Sequence, residues 1–169
     1  INGLDAICIP GPCAAINALI SSGMPSSNFI FEGFLPKKKK DREEILLEIS
    51  KHKKTTILFE SPHRLSRLLR ELKDFCGGER EIQVSREITK RYEEHLNSNI
   101  DEVLNYFEKR EVLGELTLVI KGINKIDSEL NKSLIKKELN ELIDAGLSLS
   151  AASSYLAKKR NLTKSKIYN

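Results

Sequence analysis

Thr55-Thr56-Ile57-Leu58-Phe59-Glu60-Ser61-Pro62-His63-Arg64 is the stretch that decides how this chain is read. A β-branched, apolar run of strand character ends in an acid, and a helix start follows at once. Ser61 is a natural N-cap, and Pro62 suits the first helical position, where its missing N–H costs nothing. Leu65, Leu68, Leu69 and Leu72 then recur at helical spacing, with Arg64, Arg67 and Arg70 on another face. The pattern predicts a buried strand running straight into an amphipathic helix. In open α/β sheets ligands bind beyond the carboxyl ends of such strands, which makes Glu60, Ser61, His63 and Arg64 candidates for a site. An ordinary strand-to-helix turn with a basic surface face is the competing reading.

Outward from that unit, strands and helices alternate. Asp5–Pro10 is expected to be a short buried strand, and Pro12–Ser22 an alanine-rich helix stopped by Gly23 and Pro25. Asn28–Leu35 reads as a strand. Asp41, with Glu44 three residues on, has the form of an N-cap and its N3 acid for a helix to about Lys51 that buries Ile45, Leu46 and Ile49. Thr55–Phe59 is the next strand, and Pro62–Phe75 the next helix, ending before Gly77-Gly78. Glu81–Ser85 is a strand, Ser98 or Asn99 caps a helix over Ile100–Arg110, and Glu115–Ile120 is the last strand. Five strands with interleaved helices predict a three-layer α/β domain over residues 1–122.

Lys121–Asp127 reads as a linker. Leu130, Leu134, Leu139, Leu142 and Ile143 then mark an amphipathic helix ending at Gly146, Ser148–Arg160 a second, and Thr163–Lys166 the start of a third. Residues 128–169 are thus expected to form a small, basic, helix-turn-helix-like appendage that binds nucleic acid or packs against a neighbour. Asn169 falls inside the third helix, so the appendage is expected to continue past it.

Composition narrows the classes. The 169 residues are 40% apolar and 31% charged, as in a globular protein, and no apolar run approaches the ~20 residues of a membrane span. Cys8, Cys13 and Cys76 show no CxxC or Cys/His metal spacing, so a reduced, cytoplasmic protein without structural zinc is expected. The net charge of +4 is unevenly spread: residues 131–169 carry eight Lys/Arg against three Asp/Glu, and residues 1–130 are about neutral. A neutral body with a basic tail suits a polyanionic partner, although lysine-rich helices also occur simply for solubility.

Three further segments carry chemistry. Ile9-Pro10-Gly11-Pro12-Cys13-Ala14-Ala15 sets small residues at a helix start, where a ligand can approach backbone N–H groups. Phe31-Glu32-Gly33-Phe34-Leu35-Pro36 leads into Lys37, Lys38, Lys39, Lys40 and Arg42, a run able to track a phosphate backbone. Phe31 and Phe34 are candidates for stacking on bases, against the commoner use of strand aromatics in a core. Val84-Ser85-Arg86-Glu87-Ile88-Thr89-Lys90 ends another strand in polar groups. His63 is a further proton-acceptor candidate, while His52 and His95 read as surface bystanders.

In this order the segments resemble the bacterial ribosomal small-subunit methyltransferase I family of the tetrapyrrole methylase superfamily, whose signatures read roughly PGPSA, FxFxGFLPxK, E-S-P-H-R and R-E-L-T-K. The resemblance covers Ile7 to Tyr168. It implies a five-stranded sheet that is mixed rather than parallel, and S-adenosylmethionine-dependent methylation of a cytidine ribose 2′-hydroxyl in 16S rRNA, without a metal. It implies that Pro12, Cys13 and Ala14 face the cofactor and that Phe59, Glu115 and Leu116 wall it. Cys13 stands where the family motif has serine, and Ser98-Asn99 where it often has Gly-Thr. The resemblance also implies a homodimer and a preceding N-terminal domain with a glycine-rich cofactor loop. The chain starts at Ile1 and holds no GxGxxG, so that domain is expected upstream.

Methyl transfer is an in-line displacement in which alignment supplies much of the acceleration, and the hydroxyl needs a base or a polarising cation. Glu60 and Glu87 are the acidic candidates; Arg64, Arg86 and Lys90 are candidates to hold phosphate or stabilise alkoxide character. Glu60–Arg64 and Glu87–Lys90 could equally be ion pairs that shape the turns. Two rivals stay open: a methyltransferase of the same superfamily acting on a small molecule such as a tetrapyrrole precursor, and a non-catalytic RNA-binding module.

Overall fold

A computed structural model describes residues 7–123 and 125–159, and side chains within those spans except for 125–134. The elements are α1 (Ala14–Ser22), β1 (Phe29–Phe34), α2 (Lys39–Lys51), β2 (Thr55–Glu60), α3 (Pro62–Cys76), β3 (Glu81–Arg86), β4 (Glu94–Asn99), α4 (Ile100–Glu108), β5 (Leu116–Ile120), α5 (Lys125–Asp144) and α6 (Leu149–Lys159). The sheet has the order β1-β2-β5-β3-β4. β1 and β2 are parallel; every other neighbouring pair is antiparallel. The expected three-layer domain with a five-stranded mixed sheet is present.

Alternation along the strands sends successive side chains to opposite faces, each covered by helices. Leu58, Leu118 and Val84 are register partners on one face. They join the main core with Leu46 and Ile49 of α2, Leu65, Leu68, Leu69 and Leu72 of α3, and Val103 and Phe107 of α4. All four α3 leucines are fully buried, as their helical spacing predicts. On the other face Ile57 and Val119 pack under Ala15, Ala18 and Leu19 of the single short helix α1. Gln83 fixes that helix: its amide nitrogen donates to the Ala18 carbonyl, to Ser21 Oγ and to Ser85 Oγ.

The membership of the sheet differs from expectation at one place. Of the expected strand Asp5–Pro10, residues 7–10 lie in no strand, and Ile7 and Ile9 are almost fully exposed, while Asp5 and Ala6 lie outside the described residues. The fifth strand is instead β4, whose sequence Glu-His-Leu-Asn-Ser-Asn holds a single apolar residue. As the outermost strand it is stabilised by the ladder to β3 more than by burial.

Boundaries shift by small amounts. α2 begins at Lys39, so Asp41 sits in its first turn rather than at its N-cap. Asn99 is the true cap of α4, accepting from the Glu102 N–H. α5 starts at Lys125, inside the stretch read as linker, and turns at Gly146 into α6. The expected third helix at Thr163–Lys166 lies outside the described residues.

Candidate active site

The carboxyl ends of β1, β2 and β3 reach the same sheet edge as the amino end of β5, which runs the other way. Glu60, Leu116 and Arg86 are register partners across β2, β5 and β3. They therefore share a face, with Glu60 and Arg86 about 10 Å apart at two strand spacings.

Glu60 is 2% exposed. One carboxylate oxygen accepts from the Ser61 N–H at 2.8 Å and lies 2.7 Å from Arg64 Nη2; the other faces Arg42 Nη2 at 3.6 Å. Ser61 stands at the N-cap but its hydroxyl caps no backbone group; it accepts from Arg64 Nε at 3.1 Å instead. Arg42, expected among the phosphate contacts, is corrected here: it is 3% exposed and its Nε donates to Glu71 at 2.6 Å. Helical phase explains it, because Arg42 lies one turn before Leu46 and shares its buried face. Lys37, Lys38, Lys39 and Lys40 remain on the surface as expected. His63, between Pro62 and Arg64 in sequence, is exposed and outside this network.

The second group is built on an unusual backbone. Glu87 and Thr89 have φ of +52° and +67°, left-handed values rare for such residues. They curl the chain so that Glu87 N–H donates to the Glu115 carbonyl and the Glu87 carboxylate accepts from the Glu115 N–H at 2.8 Å. Lys90 Nζ lies 3.0 Å from both Glu87 and Glu115 carboxylates. The Glu115 N–H, and then Lys90, hold the Glu87 carboxyl below its ordinary range. Glu87 and then Glu115 push the Lys90 ammonium up. Gly114, with φ +95°, is required there, since any side chain would strike the Glu87 carboxylate. Arg86, Glu87, Tyr92, Leu113 and Gly114 line a concavity of about 280 Å³.

Arg86, a candidate phosphate contact, is committed elsewhere: its Nε donates to Glu94 at 3.0 Å. Glu94 also accepts from the Tyr106 hydroxyl, and Tyr106 first, then Arg86, hold its carboxyl below the usual range. The two expected catalytic pairs thus reach one edge, but as separate clusters with Leu116 between them. Leu116 is 3% exposed and belongs to the main core; its side chain cannot wall a ligand on the α1 face. Thr117, the register partner of Phe59, occupies that position.

On the α1 face Pro12, Cys13 and Ala14 are exposed, and no side chain caps the helix. The space around Gly11 is open. Ala15 in the first turn packs in the small core that Phe59 and Ile88 border. Sequence reading missed one set of contacts here. His95 is on the surface, as expected, and hydrogen-bonded there: Nδ1 lies 2.9 Å from Ser85 Oγ and Nε2 2.7 Å from Glu93. The alternation of His95 and Asn97 along β4 is the available signal, and it is faint because that segment holds a single apolar residue.

The family profile of tetrapyrrole (corrin/porphyrin) methylases matches residues 2–104. The chain belongs to the tetrapyrrole methylase family. Among curated relatives it is similar to the ribosomal RNA small subunit methyltransferase I of Synechocystis, 37% identical over 166 residues, covering 98% of this chain and 60% of that protein. The Vibrio cholerae protein of the same name is 36% identical, over 98% of this chain and 58% of its own length. The chain therefore spans a little over half the length of the relatives it matches. The solved methyltransferase CobJ superposes with a TM-score of 0.57 at 16% identity, over 72% of this chain and 52% of its own. Cobalt precorrin-4 methyltransferase CbiF gives 0.52 at 14%, over 67% and 50%. These two likenesses establish the tetrapyrrole methylase fold.

Proposed function

We propose that the protein of which this methylase chain is a part transfers a methyl group from S-adenosylmethionine to a cytidine ribose 2′-hydroxyl of small-subunit ribosomal RNA. The observation that carries this reading is the match of 98% of the chain to relatives named for small-subunit rRNA methylation. Cytoplasmic residence, a homodimer and a basic appendage over residues 128–169 go with it.

The residues at the α1 start fit the cofactor. The first-turn N–H groups have no intrahelical acceptors, Cys13 does not cap them, and Ala14 and Ala15 open the helix with small side chains. Pro12, Cys13, Ala14 and Phe59 would hold it there, and S-adenosylmethionine when bound supplies an electrophilic methyl on a sulfonium.

The strand-end groups then divide the remaining work. A carboxylate whose pKa is lowered is a weaker proton acceptor, so Glu87 serves to fix Lys90 rather than as a general base. The Lys90 ammonium, kept charged, is suited to stabilise developing alkoxide character. Arg64, 28% exposed at its side chain and braced by Glu60, can present its outer edge to phosphate. Lys37–Lys40 supply the approach to a polyanion.

The test is methyl incorporation by the full-length protein into small-subunit rRNA, followed by nucleoside digestion. The expected product is 2′-O-methylcytidine, and Arg64→Ala or Lys90→Ala should cut the single-turnover rate by ~10²-fold or more. Near-normal rates in both would remove these groups from the site. Transfer to a tetrapyrrole precursor with none to rRNA would overturn the assignment of substrate.

A further inference from the structure

β1 carries an irregularity that changes what its edge presents. Phe31 pairs with Ile57 but Gly33 pairs with Leu58, leaving Glu32 as one extra residue. A bulge of this kind re-aims the side chains that follow it. Without it, Phe31 and Phe34, three residues apart, would point to opposite faces. With it, both rings reach the same Phe59: the Phe31 centroid is 5.0 Å away in an edge-to-face arrangement, and that of Phe34 is 5.7 Å away. Gly33 enables the turn with φ +62°.

The result is a pair of aromatic rings braced from beneath yet open above. Phe31 is 50% exposed and Phe34 60% exposed, a costly display for two phenylalanines on an outer strand. Three residues past Phe34 begin the exposed lysines Lys37–Lys40. An ion pair of 3.8 Å to Glu43 engages one of them, Lys39. Flat π-faces followed along the chain by a row of exposed ammonium groups match one class of ligand, a single-stranded nucleic acid whose phosphates meet the cations while its bases stack.

We infer that Phe31 and Phe34 form a base-stacking platform for an unpaired RNA segment that enters the site along Lys37–Lys40. This deepens the rRNA reading and rests on it. Stacking is indifferent to base identity, so the platform holds the strand while selection of the nucleotide occurs elsewhere.

The test uses the full-length protein with two probes, a ten-nucleotide oligocytidylate and an abasic ribose-phosphate strand of equal length. Wild type is expected to prefer the base-bearing strand. Phe31→Ala and Phe34→Ala should each weaken oligocytidylate binding by roughly tenfold, within the usual range for one stacked base. Affinity for the abasic strand and the salt slope should not change, and Phe34→Trp should retain binding with fluorescence quenched by the oligonucleotide. Equal affinities of wild type for the two probes would overturn the platform. So would alanine variants that leave RNA binding intact but shift oligomeric mass or melting temperature, because the rings would then be covered by protein. The outcomes separate from those of the enzymatic reading: base-dependent binding lost in the alanine variants supports the platform even if no methyl reaches rRNA. Normal rRNA methylation with unaltered oligocytidylate affinity in both variants sinks the platform alone.

Discussion

Arg42 takes a positive charge into a site from which water is nearly excluded, and meets Glu60 and Glu71 there. Such an arrangement is weak as a source of net stability but costly to break, because removing one partner strands the other. Arg42→Ala should destabilise the fold by about 3–5 kcal/mol, read as a shift in denaturant midpoint. Lys38→Ala, on the surface four residues earlier, should stay within about 0.5 kcal/mol. Sequence reading grouped the two because both belong to one basic run. Charge composition has no phase; only the position of Arg42 one turn before Leu46 separates them, and that becomes decisive once the helix face is known. Glu60 was legible for the opposite reason, since an acid that directly ends an apolar strand has little room to lie anywhere but at the sheet edge.

At the scale of elements, the curl between β3 and β4 is tied by Glu87, Lys90 and Glu115. The Glu87 pKa is lowered in the fold, so its contribution is present above the unfolded carboxylate value of about 4.3 and is lost as pH falls through the lower folded value. The Lys90 pKa is raised, so its contribution is complete below about 10.4 and disappears as pH rises through the folded value. The tie is therefore intact from about pH 5 to 10 and fails on both sides. Melting curves of wild type and Glu87→Gln should differ inside that window and converge as pH falls through the lowered Glu87 value; a difference independent of pH across the acid range would show that the charge on Glu87 contributes nothing. The strand ends themselves were readable from apolar runs that stop in polar residues. The curl was not, because left-handed backbone at Glu87 and Thr89 involves no glycine and so leaves no mark in the sequence. β4 escaped for a related reason: an outermost strand with one leucine lacks the alternation by which strands are recognised, whereas the fully buried β5, apolar but for Thr117, is unmistakable.

For the molecule as a whole, the exposed lysines lie at the sheet edge that also holds Glu60, Arg64 and Lys90. Replacing Lys37–Lys40 with alanine in the full-length protein should lower RNA affinity and flatten its dependence on salt by roughly 0.7–0.9 in log–log slope for each phosphate contact removed. Arg42 should not figure in that count, since its charge is internal. An unchanged slope, measured by titration at several salt concentrations, would reduce the run to a solvated face. The three-layer plan was visible in the sequence because helical and strand periodicities alternate. The order of strands was not, since register and neighbours are set by which edges meet in space.

That order has a consequence for how the chain comes into being. β5, the last in chain order of these five strands, lies in the middle of the sheet between β2 and β3. While the polypeptide is still emerging from the ribosome, β1 with β2 and β3 with β4 can pair as two separate halves, each with an open inner edge. Such edges are templates for pairing with other chains. Leu116–Ile120 seals both at once through contacts between residues far apart in sequence, the kind that slow folding. The interval before those five residues arrive is when a newborn chain is most exposed to aggregation, and when a chaperone that shields strand edges would matter most.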